Sequence, residues 1–225
     1  LACLFSVLLV MLMAPLVWAQ QPTAPVDSEQ ASASLPEGLH TVSFFSPAVS
    51  RQMKFDIVLP PGYEASDTRY PVLYLLHGYM QNYTVWGRNL GAAFYARNFA
   101  DLIVVMPDAG NSWYINYASN AGNQRNNWED HIVRDVIGYV DSNFRTVARR
   151  EGRAIGGLSM GGYGAIMLGL RHPEMFISMG STSGALAHAR DRATAIAEGQ
   201  PAPVARSIQA SPELARADAF ISQII

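Results

Sequence analysis

The chain has 225 residues, enough for one α/β domain, and at 49% hydrophobic it can bury a large core and is not a disordered protein. Its 16 Lys and Arg against 18 Asp and Glu give a net charge of -2 with no basic run, so nothing points to a nucleic acid or an anionic membrane as partner. The only cysteine is Cys3, which excludes a disulfide framework and a thiol nucleophile from the folded part.

Residues 1–19 carry no charge and are nearly all apolar. Val17-Trp18-Ala19 fits the small-residue rule of a signal-peptidase site, with cleavage after Ala19. The basic start of such a segment is absent, so the sequence is expected to open inside a signal peptide. The alternative is an uncleaved anchor, because about 19 apolar residues can span a bilayer. Both readings export the domain to the periplasm or the medium. Cleavage would leave no stable membrane association.

Residues 20–39, rich in Ala, Ser, Pro and Gln, have no apolar period and read as a flexible linker. The domain is expected over 40–225. Thr41–Ser46 and Arg51–Leu59 have strand character and suggest an opening antiparallel pair. Pro60-Pro61-Gly62-Tyr63 is a turn. The continuous apolar runs Pro71–Leu76 and Leu102–Met106 are strands buried on both faces. Asn127 to Phe144 keeps a 3.6 period through Ile132, Val133, Val136, Ile137, Val140 and Phe144. That pattern predicts a helix, capped by Asn127 and with Glu129 and Asp130 in its first turn. A strand led by Arg153-Ala154-Ile155-Gly156, a helix over Met160–Arg171 stopped by Pro173, and a buried strand Phe176–Thr182 follow. Ala185–Ile225 suggests two short helices and no further strand. Strands alternating with helices imply a mostly parallel sheet with helices on both faces.

Gly157-Leu158-Ser159-Met160-Gly161 is a G-x-S-x-G sequence between a strand and a helix. In that setting the turn projects the serine oxygen above the sheet, and its flanks must be small to clear the neighbouring elements. Ser159 is therefore the candidate nucleophile. A serine hydroxyl needs a histidine base, a carboxylate to orient it, and two donors for the developing oxyanion. Met160 N–H, directly after the serine, is one donor. The loop His77-Gly78-Tyr79-Met80 after the strand Pro71–Leu76 offers Tyr79 N–H as the second, with Gly78 letting the backbone approach.

No histidine is a convincing base. His40 and His131 read as surface or capping residues, and His172 stands at a helix end facing away from the elbow. His188 and Asp191 follow Ser159 too soon for the usual order of serine, acid, histidine with strands between. His77 could touch the site or simply shape its loop. Either the acid and base lie beyond Ile225 in a C-terminally incomplete domain, or the chain is a non-catalytic, carbohydrate-associated relative. The first is the expectation.

Leu75-Leu76-His77-Gly78, Met106 through Tyr114, Trp128-Glu129-Asp130 and Gly156 through Ala165 together resemble the esterase D / S-formylglutathione hydrolase group of α/β-hydrolases. That group includes tributyrin, feruloyl and acetylxylan esterases and antigen 85-type mycolyltransferases. The resemblance implies an α/β-hydrolase fold, Ser159 as nucleophile and Tyr79 and Met160 N–H as oxyanion hole. It places His77, Gly78, Ser112, Trp113 and Tyr114 at the substrate, and implies no metal and no cofactor. Asp108-Ala109-Gly110 departs mildly from the group's Asp-Gly-Gly. Export argues against a glutathione thioester and for a small or polysaccharide-linked ester of a short acyl, acetyl or feruloyl acid. An acyltransferase, with a sugar hydroxyl in place of water, is the alternative within the same chemistry.

Overall fold

The computed structural model describes residues 35–97, 101–117 and 125–186. The order is β1 (Leu39–Ser46), β2 (Arg51–Val58), β3 (Val72–Leu76), α1 (Ala92–Ala96), β4 (Ile103–Pro107), α2 (Trp128–Asp130), α3 (Ile137–Asn143), β5 (Arg153–Leu158), α4 (Met160–Arg171) and β6 (Ser178–Thr182). The strands form one mixed sheet in the order β1-β2-β4-β3-β5-β6. β1, β2 and β4 pair antiparallel in sequence across the sheet; β4, β3, β5 and β6 run parallel. In the central register, Leu76 lies opposite Gly157.

Both faces of the sheet are covered, as the unbroken apolar runs require. Successive side chains of a strand point to opposite faces. Val72, Tyr74 and Leu76 of β3 join Ile103 and Val105 of β4, Ile155 of β5, and Val136, Val140, Ala165 and Leu168 from the helices on one side. Leu73 and Leu75 turn the other way, towards Val104, Met106, Trp86 and α1. Phe55, Ile57, Ile103 and Leu168 are wholly buried, and each contributes on the order of 1.5–3 kcal/mol.

Several expectations need correction. β1 opens at the buried Leu39, one residue ahead of His40. The helix expected from Asn127 to Phe144 is present over 128–143, but its middle, His131–Val136, is wound as a wider π-type segment between α2 and α3. Asn127 makes no side-chain cap. Glu129 is buried, where Oε1 accepts from Arg171 Nε at 3.1 Å and lies 2.8 Å from His172 Nε2, so it ties α2 to the end of α4. The strand expected to be buried at 176–182 is β6, and every residue of it is exposed. It borders the described part of the sheet, and its Ser, Gly and Thr side chains have little to bury. α1 and the π-type turn Val85–Asn89 before it had no sequence signal. The two helices expected after Ala185, like the leader and most of the linker, fall outside the described residues.

Candidate active site

Ser159 joins β5 to α4 with φ 55° and ψ -114°. A non-glycine residue rarely adopts that conformation, which costs on the order of 1–3 kcal/mol and persists only where the surroundings impose it. Here they do. Ser159 N–H donates to Thr182 O at 3.0 Å, and its carbonyl accepts Tyr163 N–H at 3.0 Å. The flanking glycines are obligatory. A Cβ on Gly157 would stand 2.2 Å from Gly161 O, and one on Gly161 would stand 2.2 Å from Leu76 O. The helix start therefore lies hard against the end of β3, and Ser159 is half-buried at the junction. Met160 opens α4, so its N–H belongs to the first turn, where amides have no partner within the helix.

The loop after β3 supplies the opposite wall, and its peptide groups can be accounted for one at a time. Tyr114 Oη donates to His77 O at 2.8 Å, and Gly78 N–H donates to Gln81 Oε1 at 2.7 Å. His77 Nε2 accepts Ala109 N–H at 3.0 Å, so the ring proton sits on Nδ1, which donates to Gly78 O at 2.8 Å. Gln81 N–H donates to the same carbonyl at 3.2 Å. Met80, at φ 60°, donates its N–H to Asn111 Oδ1 at 2.7 Å. Of the amides of Gly78, Tyr79 and Met80, only that of Tyr79 has no acceptor among the described residues. A hydrogen bond accepted by its own carbonyl polarises that peptide towards donation.

The third wall is the loop after β4. Trp113 and Tyr114 have φ 55° and 58°. The Trp113 ring lies 5.7 Å from Tyr163 and 6.5 Å from Tyr79, and all three are half-buried. Burial raises the pKa of the Tyr79 and Tyr163 phenols, which stay neutral. Burial would raise the Asp108 carboxyl too, yet it lies below the usual carboxylate range, with Gly110 N–H donating to Oδ1 at 2.9 Å.

The residues expected at the substrate thus divide. Tyr79 and Trp113 keep exposed surface. His77 and Tyr114 are wholly buried, and Gly78 and Ser112 are buried too. His77 braces the loop, and Ser112 Oγ accepts Tyr114 N–H at 3.1 Å. Gln81 and Tyr163 were missed by sequence reasoning; a polar residue three positions after Gly78 and an aromatic four after Ser159 were the available signals.

His131 is not at the surface. It is wholly buried, with Nε2 3.0 Å from Asp108 O and Nδ1 2.8 Å from Ser46 Oγ, which itself lies 2.5 Å from Asp135 Oδ2. Burial pushes its pKa down to about 4. With His77 and His131 engaged at both ring nitrogens, His172 against Glu129, and His40 exposed on β1, the described residues place no histidine beside Ser159. His188 and Asp191 lie outside them. Among the described residues no cluster could hold a metal ion, and no helix is long and apolar enough to cross a membrane.

Known proteins resemble the chain in sequence and in fold. Residues 46–221 match the family model described as "Putative esterase". The chain is 35% identical over 155 residues to Esterase Rv1288 of Mycobacterium tuberculosis, which covers 66% of this chain and 32% of the relative. It is 34% identical over 156 residues to an endo-1,4-beta-xylanase/feruloyl esterase of Xylanibacter ruminicola, covering 65% of this chain and 21% of the relative. The fold superposes on the Staphylococcus aureus fluorophosphonate-binding serine hydrolase F with a TM-score of 0.60 and 26% identity, over 70% of this chain and 59% of that one. The chain thus spans about a third or less of the length of these two curated relatives. A strained serine between a parallel strand and a helix, in a sheet of this order and with a family match over most of its length, places the chain in the esterase family of α/β-hydrolases.

Proposed function

We propose that this protein is an exported serine carboxylesterase that works through an acyl-enzyme on Ser159. Ser159 Oγ bonds to the ester carbonyl carbon while a histidine outside the described residues takes its proton. The carbonyl oxygen becomes an anion between Tyr79 N–H and Met160 N–H. As the tetrahedral adduct collapses, the carbon–oxygen bond to the alcohol breaks and the alcohol leaves with the proton. Water then repeats the sequence and releases the acid. The steps require no metal or organic cofactor.

The observation that carries this reading is the Ser159 backbone, held at φ 55° between β5 and α4. A structural serine has no use for that strain, whereas a nucleophile that must stand clear of the sheet does. The unclaimed Tyr79 amide supports it independently. The uncharged apolar run 1–19 supports export. The aromatic wall of Tyr79, Trp113 and Tyr163, together with the feruloyl esterase relative, supports short acyl, acetyl or feruloyl esters of plant-wall polysaccharide as substrates.

The test is Ser159→Ala in the full-length gene product. Hydrolysis of p-nitrophenyl butyrate is expected to fall by at least about 10³-fold, leaving a residue of catalysis from the oxyanion hole. Turnover near that of the wild type refutes the assignment. Acetyl, butyryl and feruloyl esters compared side by side identify the acyl group.

A further inference from the structure

The two oxyanion donors belong to different elements, the β3 loop and α4, and one side chain touches both. We infer that Tyr114 is a positioning residue that sets the distance between Tyr79 N–H and Met160 N–H, an inference that rests on the reading of Ser159 as nucleophile.

Three observations meet at this residue. Its hydroxyl donates to His77 O, the carbonyl of the peptide immediately before the one that carries Tyr79 N–H. Gln81 holds the amide side of that same peptide, so the unit is fixed at both ends. Its ring bears on α4 at Gly164, where a Cβ would come within 2.5 Å of Tyr114 Cδ2. Gly164 is four residues beyond Met160, one turn along the same helix face. Finally, Trp113 and Tyr114 are consecutive left-handed residues without being glycine. Such a pair persists only when its surroundings over-determine it. Here the anchors are Ser112 Oγ at the Tyr114 amide and the His77 carbonyl at its hydroxyl.

The geometry makes Tyr114 a spacer. Its hydroxyl holds one donor segment, its ring holds the helix that carries the other, and the bond between them is covalent and rigid. It touches no substrate, since it is wholly buried. Loss of the hydroxyl frees the loop while the ring keeps the core filled. An ester in its ground state asks little of the oxyanion donors and the tetrahedral adduct asks much, so kcat suffers and KM does not.

The experiment compares Tyr114→Phe with Tyr63→Phe in the full-length gene product. Tyr63 Oη accepts Arg145 N–H at 2.8 Å near Tyr70, at the opposite end of β3. Its phenol also bonds the backbone, as acceptor where Tyr114 donates, at a place remote from the elbow. For Tyr114→Phe, kcat on p-nitrophenyl butyrate is expected to fall about 10- to 100-fold with KM within about twofold, and the affinity for butaneboronic acid, which mimics the tetrahedral adduct, to fall in parallel. Amide hydrogen exchange at residues 77–81 speeds up. Tyr63→Phe changes none of these. Gly164→Ala, which pushes the ring from the helix side, reproduces the fall in kcat. Wild-type kcat in Tyr114→Phe, or a change confined to KM, overturns the inference. An inactive wild-type protein refutes the esterase reading instead. Exchange at 77–81 then decides alone: faster in Tyr114→Phe supports the spacer, and unchanged removes it.

Discussion

Replacing Gly161 by alanine separates two physical effects of opposite sign. In an ordinary helix, Ala is more favourable than Gly by about 1 kcal/mol. In this helix the new Cβ would stand 2.2 Å from Leu76 O and 2.6 Å from His77 O, where real Cβ contacts stay beyond 3.0 Å. Both oxygens are backbone, so neither can swing aside. The first turn of α4 must retreat from the end of β3 by about 0.8 Å. Overpacking of that kind costs about 1–3 kcal/mol, which offsets the propensity gain and reverses the sign. The same retreat carries Met160 N–H away from Tyr79 N–H. A misplacement near 1 Å lowers turnover by up to about 10²-fold. Urea unfolding and p-nitrophenyl butyrate turnover, measured on the same preparations of the full-length gene product, read the two effects. A Gly161→Ala variant more stable than the wild type, with turnover within about twofold, would show that α4 and β3 are not in the contact described and that the geometry of the elbow is wrong.

Two further outcomes are expected. His131 is held near pKa 4 in the fold against about 6.5 when unfolded, so it contributes no pH dependence above about 6.5 and progressively destabilises the fold as pH falls towards 4. Between pH 7.5 and 4.5 the wild type should therefore lose about 2–3 kcal/mol more than His131→Gln in urea titrations; parallel losses would mean that Asp135, acting through Ser46, keeps the imidazole charged. Asp56 is wholly buried and takes Arg88 Nε and Nη2 at 2.8 and 2.9 Å. Arg88→Met leaves that carboxylate without its counter-charge, the Thr41 hydroxyl still donating at 2.6 Å, and should cost about 3 kcal/mol, with Asp56→Asn recovering part of it in the double variant. A cost below about 1 kcal/mol would show that the pair behaves as an ordinary surface contact.

The parts of the molecule that read clearly in the sequence are those with a steric requirement behind them. Pro71–Leu76 and Leu102–Met106 read as doubly buried strands because no polar residue interrupts them, and they are β3 and β4 to within one residue. Ser159 was legible because Gly157 and Gly161 admit no other residue. The failures have a common cause as well. His131 is polar by composition, and only the fold reveals that Ser46 and Asp108 satisfy it inside the core. His77 reads like a site residue because it adjoins the Tyr79 amide, yet its ring faces inward to Ala109. α1 buries Ala93 and Ala96 but exposes Phe94 and Tyr95, so its large apolar residues point away from the core and carry no helical period. The run 176–182 reads as buried because it opens with Phe176 and Ile177, and Phe176 is buried, but β6 itself has only small or polar side chains besides Met179 and stays exposed.

In the proposed mechanism, the pairing of Leu76 with Gly157 makes the placement of the two oxyanion donors a matter of phase. Counted from that rung of the ladder, Tyr79 and Met160 each stand three steps further along their own segments. The segments that carry them leave the sheet at the lateral spacing of neighbouring strands, about 4.8 Å, and Tyr114 holds them from there. Deleting one residue on either segment would throw the two amides out of step. Asn111 and Tyr114 brace that count from outside it, so only stretches that hold neither segment are free to lengthen or shrink to suit new esters.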